Sequence, residues 1–312
     1  MVRAAGIDIG TNSFRLLIAD LGPGKFVPSC KELHTVRLGE GLGPDHLLQP
    51  GAIERGIAAL AQFAGMIDHY QPRYIRACGT HALRLAANRD LFLARAHSAL
   101  GFAVEVVDGA EEAALSLRGA LFTGKGALEP PLLLVDVGGG STEMIWLAEH
   151  GAPPMIRSLP IGAVNLTEAF AEIAPESLAL AAMAGHVRAR LKEGLTDLAL
   201  PAAGCRVVGS GGTATSLGAL DLGLAVYDEN LVQNHVLGQG RLENIFAVLT
   251  ALSSEQRLAL PGLGEGRGRI IVAGAVIYRE LLQLLACDEI VVSDGGLLEG
   301  ILLSSLPSAA GL

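Results

Sequence analysis

Two segments of the chain repeat one pattern: Gly6-Ile-Asp8-Ile-Gly10-Thr11-Asn12-Ser13 near the start, and Val135-Asp136-Val-Gly138-Gly139-Gly140-Ser141-Thr142 near the middle. In each, an Asp closes an apolar run two residues before a Gly, and hydroxyl side chains follow. A repeat of this kind asks the chain to build the same strand-and-turn unit twice. Glycine frees backbone N–H groups to converge on an anion, hydroxyls add donors, and the Asp is placed to hold a metal ion or its water. Dinucleotide and Walker-type loops run from their glycines directly into a helix. Here Phe14-Arg15-Leu16-Leu17-Ile18-Ala19 and Glu143-Met144-Ile145-Trp146-Leu147 follow instead, both compatible with a second strand. The pattern predicts two strand-loop-strand hairpins that grip phosphate at their turns. Ordinary glycine hairpin turns are the alternative, and the double occurrence weighs against it.

At 312 residues the chain exceeds the usual size of a single core, so two domains are expected. Half of the residues are hydrophobic and 18% are charged, enough apolar material for two cores. A formal net charge of −9 argues against nucleic acid as a partner. It leaves room for a phosphorylated substrate, since a few Arg side chains and Mg²⁺ reverse the field inside one cleft. Cys30, Cys78, Cys205 and Cys287 are far apart and form no C-x-x-C pair, which indicates neither a zinc site nor a disulfide framework. A reduced, cytoplasmic protein is expected. No signal peptide precedes the first strand, and the apolar run Ile270 to Tyr278 is far short of the ~20 residues that span a bilayer.

The order of elements reads as α/β. After the Asp8 hairpin come a strand around Lys25 to Cys30 and a polar turn from Arg37 to Pro44. A helix is expected from about Pro50 to His69, with Ile53, Ile57, Leu60, Ala64 and Ile67 on one face. A strand at Tyr74 to Cys78 then delivers Gly79-Thr80-His81-Ala82-Leu83-Arg84 into another helix, and a strand at Val104 to Val107 follows. Ala110 to Leu121 reads as a helix and Thr123 to Gly126 as a connector, after which the Asp136 hairpin restarts the pattern. That restart suggests duplication of one α/β unit. A long helix around Pro175 to Leu191, a strand at Cys205 to Val208 and the loop Gly209-Ser210-Gly211-Gly212-Thr213, entering a helix at Ala214, complete the outline. This third loop lies at a helix N-terminus, where freed N–H groups and the dipole favour an anion.

Few residues stand out for chemistry. Glu111 and Glu112 begin a helix after Asp108-Gly109-Ala110, and adjacent helical residues point about 100° apart, so only one faces a given cleft. One reading is a general base that activates water; the other is two acids favourably placed in a first turn. Asp136 and Glu143 flank the second loop, where a hairpin brings both carboxylates toward one Mg²⁺, although Glu143 also fits a solvated strand position. Arg15 and Arg84 are candidate phosphate clamps, because guanidinium meets oxyanions in a planar fork; either also fits a surface Arg. The eight His show no metal-like spacing.

Seven blocks occur in order: GIDIGTNSFRLL, CGTHALRLAAN, VVDGAEEA, LLVDVGGGSTEM, LPIGAVNLTE, VGSGGTATSL and VSDGGLLEG. Together they resemble the exopolyphosphatase / guanosine pentaphosphate phosphohydrolase family of the actin, sugar kinase and heat-shock chaperone superfamily. The resemblance covers nearly the whole chain. It implies two actin-like (ribonuclease H-like) α/β domains, each with a mixed five-stranded sheet, and an active site in the cleft between them. The expected N-terminal domain is residues 1–122, joined by the C-terminal segment 300–312, and the second is 123–299. The family's catalytic acid falls on Glu112. Its metal-linked carboxylates fall on Asp136 and Glu143; Asp8, at the matching position of the first loop, is the third metal candidate, read as an orienting or water-mediated partner. Its phosphate loops fall on Gly10, Thr11, Asn12 and Ser13, on Gly138, Gly139, Gly140, Ser141 and Thr142, and on Gly209, Ser210, Gly211, Gly212 and Thr213, and its Gly-Thr-x-x-Leu-Arg arginine on Arg84.

The resemblance thus implies Mg²⁺-dependent hydrolysis of a terminal phosphoanhydride, releasing orthophosphate from inorganic polyphosphate or guanosine pentaphosphate. A phosphotransferase or ATPase of the same superfamily is the first rival, and a non-catalytic regulator that binds guanosine tetra- or pentaphosphate the second. Many longer relatives carry a C-terminal helical domain with a His-Asp motif, which this chain lacks, so shorter substrates are expected to be preferred. The sequence ranks neither substrate above the other. It also leaves oligomeric state open, although dimers are common in the family and symmetric pairing is the usual oligomer.

Overall fold

The computed structural model describes residues 1–23, 25–124, 126–170, 178–196, 198, 200, 205–264 and 266–307. Along the chain it places β1 (Val2–Ile9), β2 (Ser13–Gly22), β3 (Lys25–Thr35), α1 (Pro50–Tyr70), β4 (Tyr74–Gly79), α2 (His81–Leu85), α3 (Arg89–Leu100), β5 (Glu105–Val106) and α4 (Gly109–Gly124). There follow β6 (Leu132–Val137), β7 (Thr142–Leu147), β8 (Met155–Leu159), α5 (Ala163–Ala169), α6 (Leu178–Thr196), β9 (Arg206–Ser210), α7 (Gly211–Leu222) and α8 (Glu229–Val232). Then come β10 (Val236–Gly238), α9 (Gln239–Ala251), α10 (Ser254–Leu258), α11 (Ile271–Leu285), β11 (Glu289–Val292) and α12 (Leu297–Ser304). The chain divides into two units, Met1–Gly119 with Leu297–Leu312, and Ala120–Gly296.

In the first unit the sheet order is β3-β2-β1-β4-β5. β1 and β2 are antiparallel, as are β2 and β3, whereas β1–β4 and β4–β5 are parallel. One face packs α1 and α3 through Phe14, Leu16, Ile18, Ile53, Leu60, Phe63 and Phe92. On α1, Ile53, Leu60 and Ile67 are buried as the spacing requires, but Ala59 and Phe63 join them in the centre of the buried stripe, while Ile57 and Ala64 lie at its margin. A second cluster of Cys78, Val107, Leu115, Leu297 and Ile301 brings α4 and α12 to the sheet. Burial pushes the Cys78 thiol up to about 12, so this cysteine behaves as a small apolar core residue.

The second unit repeats the plan: β6–β7 and β7–β8 are antiparallel, β6–β9 and β9–β11 parallel. Each unit therefore has the actin-like, ribonuclease H-like order. The second sheet has six strands, not the expected five, because β10 adds antiparallel to β11. Helix α11 is almost wholly buried and supplies much of this unit's core, including Val272, Val276, Tyr278 and Leu281. Near-continuous burial of β6, β7 and α11 fits the apolar stretches 132–135, 144–147 and 271–278 within them.

Several boundaries differ from expectation: β3 runs on to Thr35 beyond the expected Cys30, and β5 is shorter than the expected Val104 to Val107. Helix α4 continues to Gly124 instead of ending at Leu121. Helix α6 is described from Leu178 and runs on to Thr196, and residues 175–177 of the expected start lie outside the described residues, as does Lys125 of the expected connector. Helix α7 begins at Gly211 and not at Ala214, so Gly209 and Ser210 end strand β9 and no separate loop intervenes. Gly211 makes that junction at φ 77°, a left-handed conformation that glycine adopts without a steric penalty.

Candidate active site

The two hairpin turns share their backbone chemistry. Gly10 N–H donates to the Ser13 carbonyl at 3.1 Å, and Gly138 N–H donates to the Ser141 carbonyl at 3.0 Å. Each turn is then held by a neighbouring segment of its own unit. In the first, Arg37 N–H donates to Asn12 O at 2.7 Å and Gly39 N–H to Thr11 O at 2.9 Å. In the second, Ala163 N–H donates to Gly138 O at 2.9 Å and Val164 N–H to Gly139 O at 2.7 Å. Thr11, Asn12, Ser13 and Ser141 are all buried, so these turns are built and not flexible surface loops. Asn12 Nδ2 donates to Ser13 Oγ at 3.0 Å, orienting that hydroxyl.

Asp8 and Arg15 face each other across β1 and β2, and Arg15 Nε and Nη2 both reach Asp8 Oδ2, at 2.8 and 2.7 Å. The expected clamp Arg15 is therefore engaged with the expected metal-linked Asp8, which is itself buried. A guanidinium on one carboxylate oxygen competes with a cation for it, so Asp8 and Asp136 stand in different surroundings.

Farther along the first sheet, the paired acids at the start of α4 separate in role. Asp108 caps the helix, accepting Glu111 N–H at Oδ1 at 2.8 Å. Glu111 is exposed and bonded to Arg76, which also binds Glu105 and Ser304. Glu112 is buried, and Arg84 Nη1 reaches its Oε2 at 2.5 Å while also donating to Val107 O at 3.0 Å. The carboxylate is thus held in one orientation by a charge-assisted bond. Beside Arg84 on α2, burial and then the Arg84 charge hold the His81 imidazole down to about 4, so His81 is a neutral ring.

In the second unit Asp136 and Glu143 are directly opposite in the β6–β7 ladder, and both are buried. Ser158, opposite Glu143 on β8, donates to its Oε1 at 2.7 Å. Asp136 also lies opposite Ser210, and its Oδ1 sits against Gly211 so closely that a Cβ there would overlap it. The second hairpin and the start of α7 therefore meet at one carboxylate. Thr142 Oγ1 donates to Ile161 O at 2.6 Å and Thr213 Oγ1 to Val137 O at 3.1 Å. These two hydroxyls, expected as phosphate donors, spend their protons bracing the backbone.

Several residues of this neighbourhood are not singled out in the sequence. Asn165 Nδ2 donates to Gly140 O at 2.8 Å while its Oδ1 accepts Gly162 N–H at 2.7 Å, locking α5 onto the second turn. Tyr278 Oη, wholly buried, lies 2.9 Å from Val135 O and 3.3 Å from Ser210 O, tying β6 to β9. Burial, reinforced by the Asp136 charge, raises its pKa well above the ordinary tyrosine range, so it remains a donor. The Arg267 guanidinium packs directly on Gly212, in the first turn of α7, where any Cβ would overlap it. Asn165 falls in the LPIGAVNLTE block, whose resemblance gives it no role; Arg267 lies in a glycine-rich segment with no periodicity to mark it.

Among the described residues no three His, Cys, Asp or Glu side chains gather as a metal cage. Two facing carboxylates, Asp136 and Glu143, suit Mg²⁺, which binds through one or two carboxylates and otherwise through water and substrate phosphates. No helix among the described residues is long and apolar enough to cross a membrane.

Comparison with known proteins adds to this geometry. A family model described as the Ppx/GppA phosphatase family matches residues 17–309. The chain is 37% identical to exopolyphosphatase 2 of Mycobacterium tuberculosis, over 97% of this chain and 98% of that protein. It is 30% identical to the guanosine-5'-triphosphate,3'-diphosphate pyrophosphatase of Aeromonas salmonicida over 96% of this chain, which spans 58% of that longer relative. Among solved structures, the Aquifex aeolicus Ppx/GppA enzyme aligns with a TM-score of 0.80 at 31% identity, covering 97% of this chain and 99% of the other.

Proposed function

We propose, because the chain belongs to the Ppx/GppA phosphatase family, that it hydrolyses a terminal phosphoanhydride and releases orthophosphate from inorganic polyphosphate, guanosine pentaphosphate or both. The observation that carries the reading is the buried Glu112 carboxylate fixed by Arg84. In the reaction a water oxygen bonds to the terminal phosphorus while the bridging P–O bond breaks. The leaving phosphate keeps the bonding electrons. Glu112 orients that water and accepts its proton, and Arg84 keeps the carboxylate aimed. Phosphoryl transfer passes through a loose transition state, so orientation and charge stabilisation matter more than the strength of the base.

The backbone N–H groups of the turns at Gly10–Ser13 and Gly138–Thr142 and of the first turn of α7 are assigned to the phosphate oxygens. Asp136 and Glu143 are assigned to Mg²⁺, whose charge, when bound, offsets negative charge on the phosphates. Ser158 fixes Glu143 for that role. Asp8 is assigned an orienting role through Arg15. A cytoplasmic location, a symmetric homodimer and the lack of a nucleic-acid partner belong to the same reading; the last is supported by the net charge of −9. The test is a phosphate-release assay on purified protein with short polyphosphate, long polyphosphate, guanosine pentaphosphate and ATP, each with Mg²⁺ titrated. Release from the first three substrates and little from ATP is expected. Release from ATP alone, or transfer of phosphate to an added acceptor instead of water, overturns the reading.

A further inference from the structure

Beside the Arg84–Glu112 pair, in the first unit, lies an open cavity of about 530 Å³. Its lining runs from Arg84 of α2 and the first turns of α3 to the edge strand β5 and the two residues that follow it. Arg84 lines it as well as touching Glu112, so the cavity borders that ion pair. Its remaining lining combines Arg89, Asp90 and Leu93 of α3 with Val104, Val106, Val107 and Asp108 along and after β5.

The chemistry of this lining separates the two substrate classes. Polyphosphate carries negative charge on every unit and no apolar surface. The cavity is lined by Arg84 and Arg89 and by Asp90 and Asp108, with the Arg84 charge already met by Glu112, and adds aliphatic walls, so it holds no excess of positive charge. A balanced charge gives a polyanion no net attraction, and aliphatic walls give it nothing to bury. A flat, uncharged heterocycle gains from both. Guanine presents the O6 and N7 acceptors that an Arg fork meets in bidentate fashion. Its N1–H and N2–H donors in turn suit carboxylate oxygens. Adenine places a donor where guanine has O6, so Arg89 would meet it poorly. The Arg89 fork is available to turn: its Nε lies 3.9 Å from Asp90, whose side chain is 95% exposed.

We propose that this cavity is a base subsite, holding the guanine of a guanosine polyphosphate whose terminal anhydride is presented to Glu112. The assignment rests on the proposed role of Glu112. It makes nucleoside polyphosphate a substrate recognised by its base and leaves short polyphosphate a substrate recognised by its phosphates alone.

The test pairs calorimetric binding of guanosine tetraphosphate with phosphate release from tripolyphosphate, for the wild-type chain, Arg89→Ala and Leu93→Trp. The first variant removes the fork; the second fills the cavity. Binding of the nucleotide is expected to weaken about tenfold or more in each, the loss of one good base contact. Tripolyphosphate turnover should stay within about twofold, which also shows that both variants fold. Unchanged nucleotide binding in both variants overturns the proposal, as does a wild-type chain that binds no guanosine tetraphosphate. A fall in tripolyphosphate turnover by the same factor as nucleotide binding overturns it too. If the wild-type chain releases phosphate from no substrate, the hydrolytic reading fails by itself, and the binding comparison, with thermal unfolding to check the fold, still decides the subsite.

Discussion

Arg84 Nη1 bonds to both Glu112 Oε2, at 2.5 Å, and the Val107 carbonyl, at 3.0 Å. One guanidinium thereby fixes the carboxylate and the strand end from which its helix departs. Eight residues earlier in the chain, Arg76 holds Glu111 in the same way but on the exposed side. Two neighbouring acids with two neighbouring arginines thus set the rotation of the first turn of α4, and only one acid is turned inward.

That division predicts opposite outcomes for the two acids. Glu111→Gln should leave kcat within about threefold and cost about 0.5–1 kcal/mol of stability, the worth of a part-exposed ion pair near a helix start. Arg84→Lys keeps the charge but loses the fork, and should lower kcat about ten- to a hundredfold by misplacing Glu112. Steady-state kinetics and urea unfolding of both variants check this, and equal kinetic losses would refute the division.

The Asp136–Glu143 pair predicts a metal signature. Ser158→Ala removes the bond to Glu143 Oε1 and should raise the Mg²⁺ concentration for half-maximal activity about tenfold. Mn²⁺ binding followed by electron paramagnetic resonance should weaken in parallel. If neither quantity moves, Glu143 does not serve the metal.

Gly211 and Gly185 should respond oppositely to alanine. Gly211 has φ 77° and abuts Asp136, so Gly211→Ala is expected to cost about 1–3 kcal/mol and to depress activity. Gly185 lies inside α6 with nothing within 4 Å of an added Cβ, so Gly185→Ala should stabilise by about 0.5–1 kcal/mol. Thermal and urea unfolding measure both.

His81 predicts a pH effect. Its imidazole is held down to about 4, below the ordinary value of 6.5. Between those limits the unfolded chain binds more protons than the folded one, so stability falls as pH drops from 6.5 toward 4. In His81→Gln that part of the acid loss should vanish, flattening the curve by roughly 1–2 kcal/mol across the window after allowance for solvent screening. Urea midpoints measured at half-unit pH steps test it; parallel curves for both proteins would contradict the burial argument.

Much of this was legible in the sequence, for identifiable reasons. The two hairpins announced themselves because Asp8 and Asp136 end apolar strands with glycine two residues on, and the register places Asp8 opposite Arg15 and Asp136 opposite Glu143. The stripe on α1 was visible through its period. Local signals did not reach β10, three residues long and apparent only once β11 was there to pair with it. They gave no means of telling Glu111 from Glu112, since that choice depends on arginines more than twenty-five residues earlier in the chain. Nor did they mark Thr142 and Thr213 as braces, because the carbonyls that take their protons, Ile161 and Val137, are distant in sequence.

The central claim is that Glu112 activates the attacking water, and the most direct measurement is phosphate release by Glu112→Gln set beside its substrate binding. Glutamine preserves the size of the side chain and removes only the base. We expect kcat on tripolyphosphate and guanosine pentaphosphate to fall by about 10²–10⁴ while binding changes less than about threefold. A variant that keeps wild-type turnover would contradict the account and move the search for the base to Asp136.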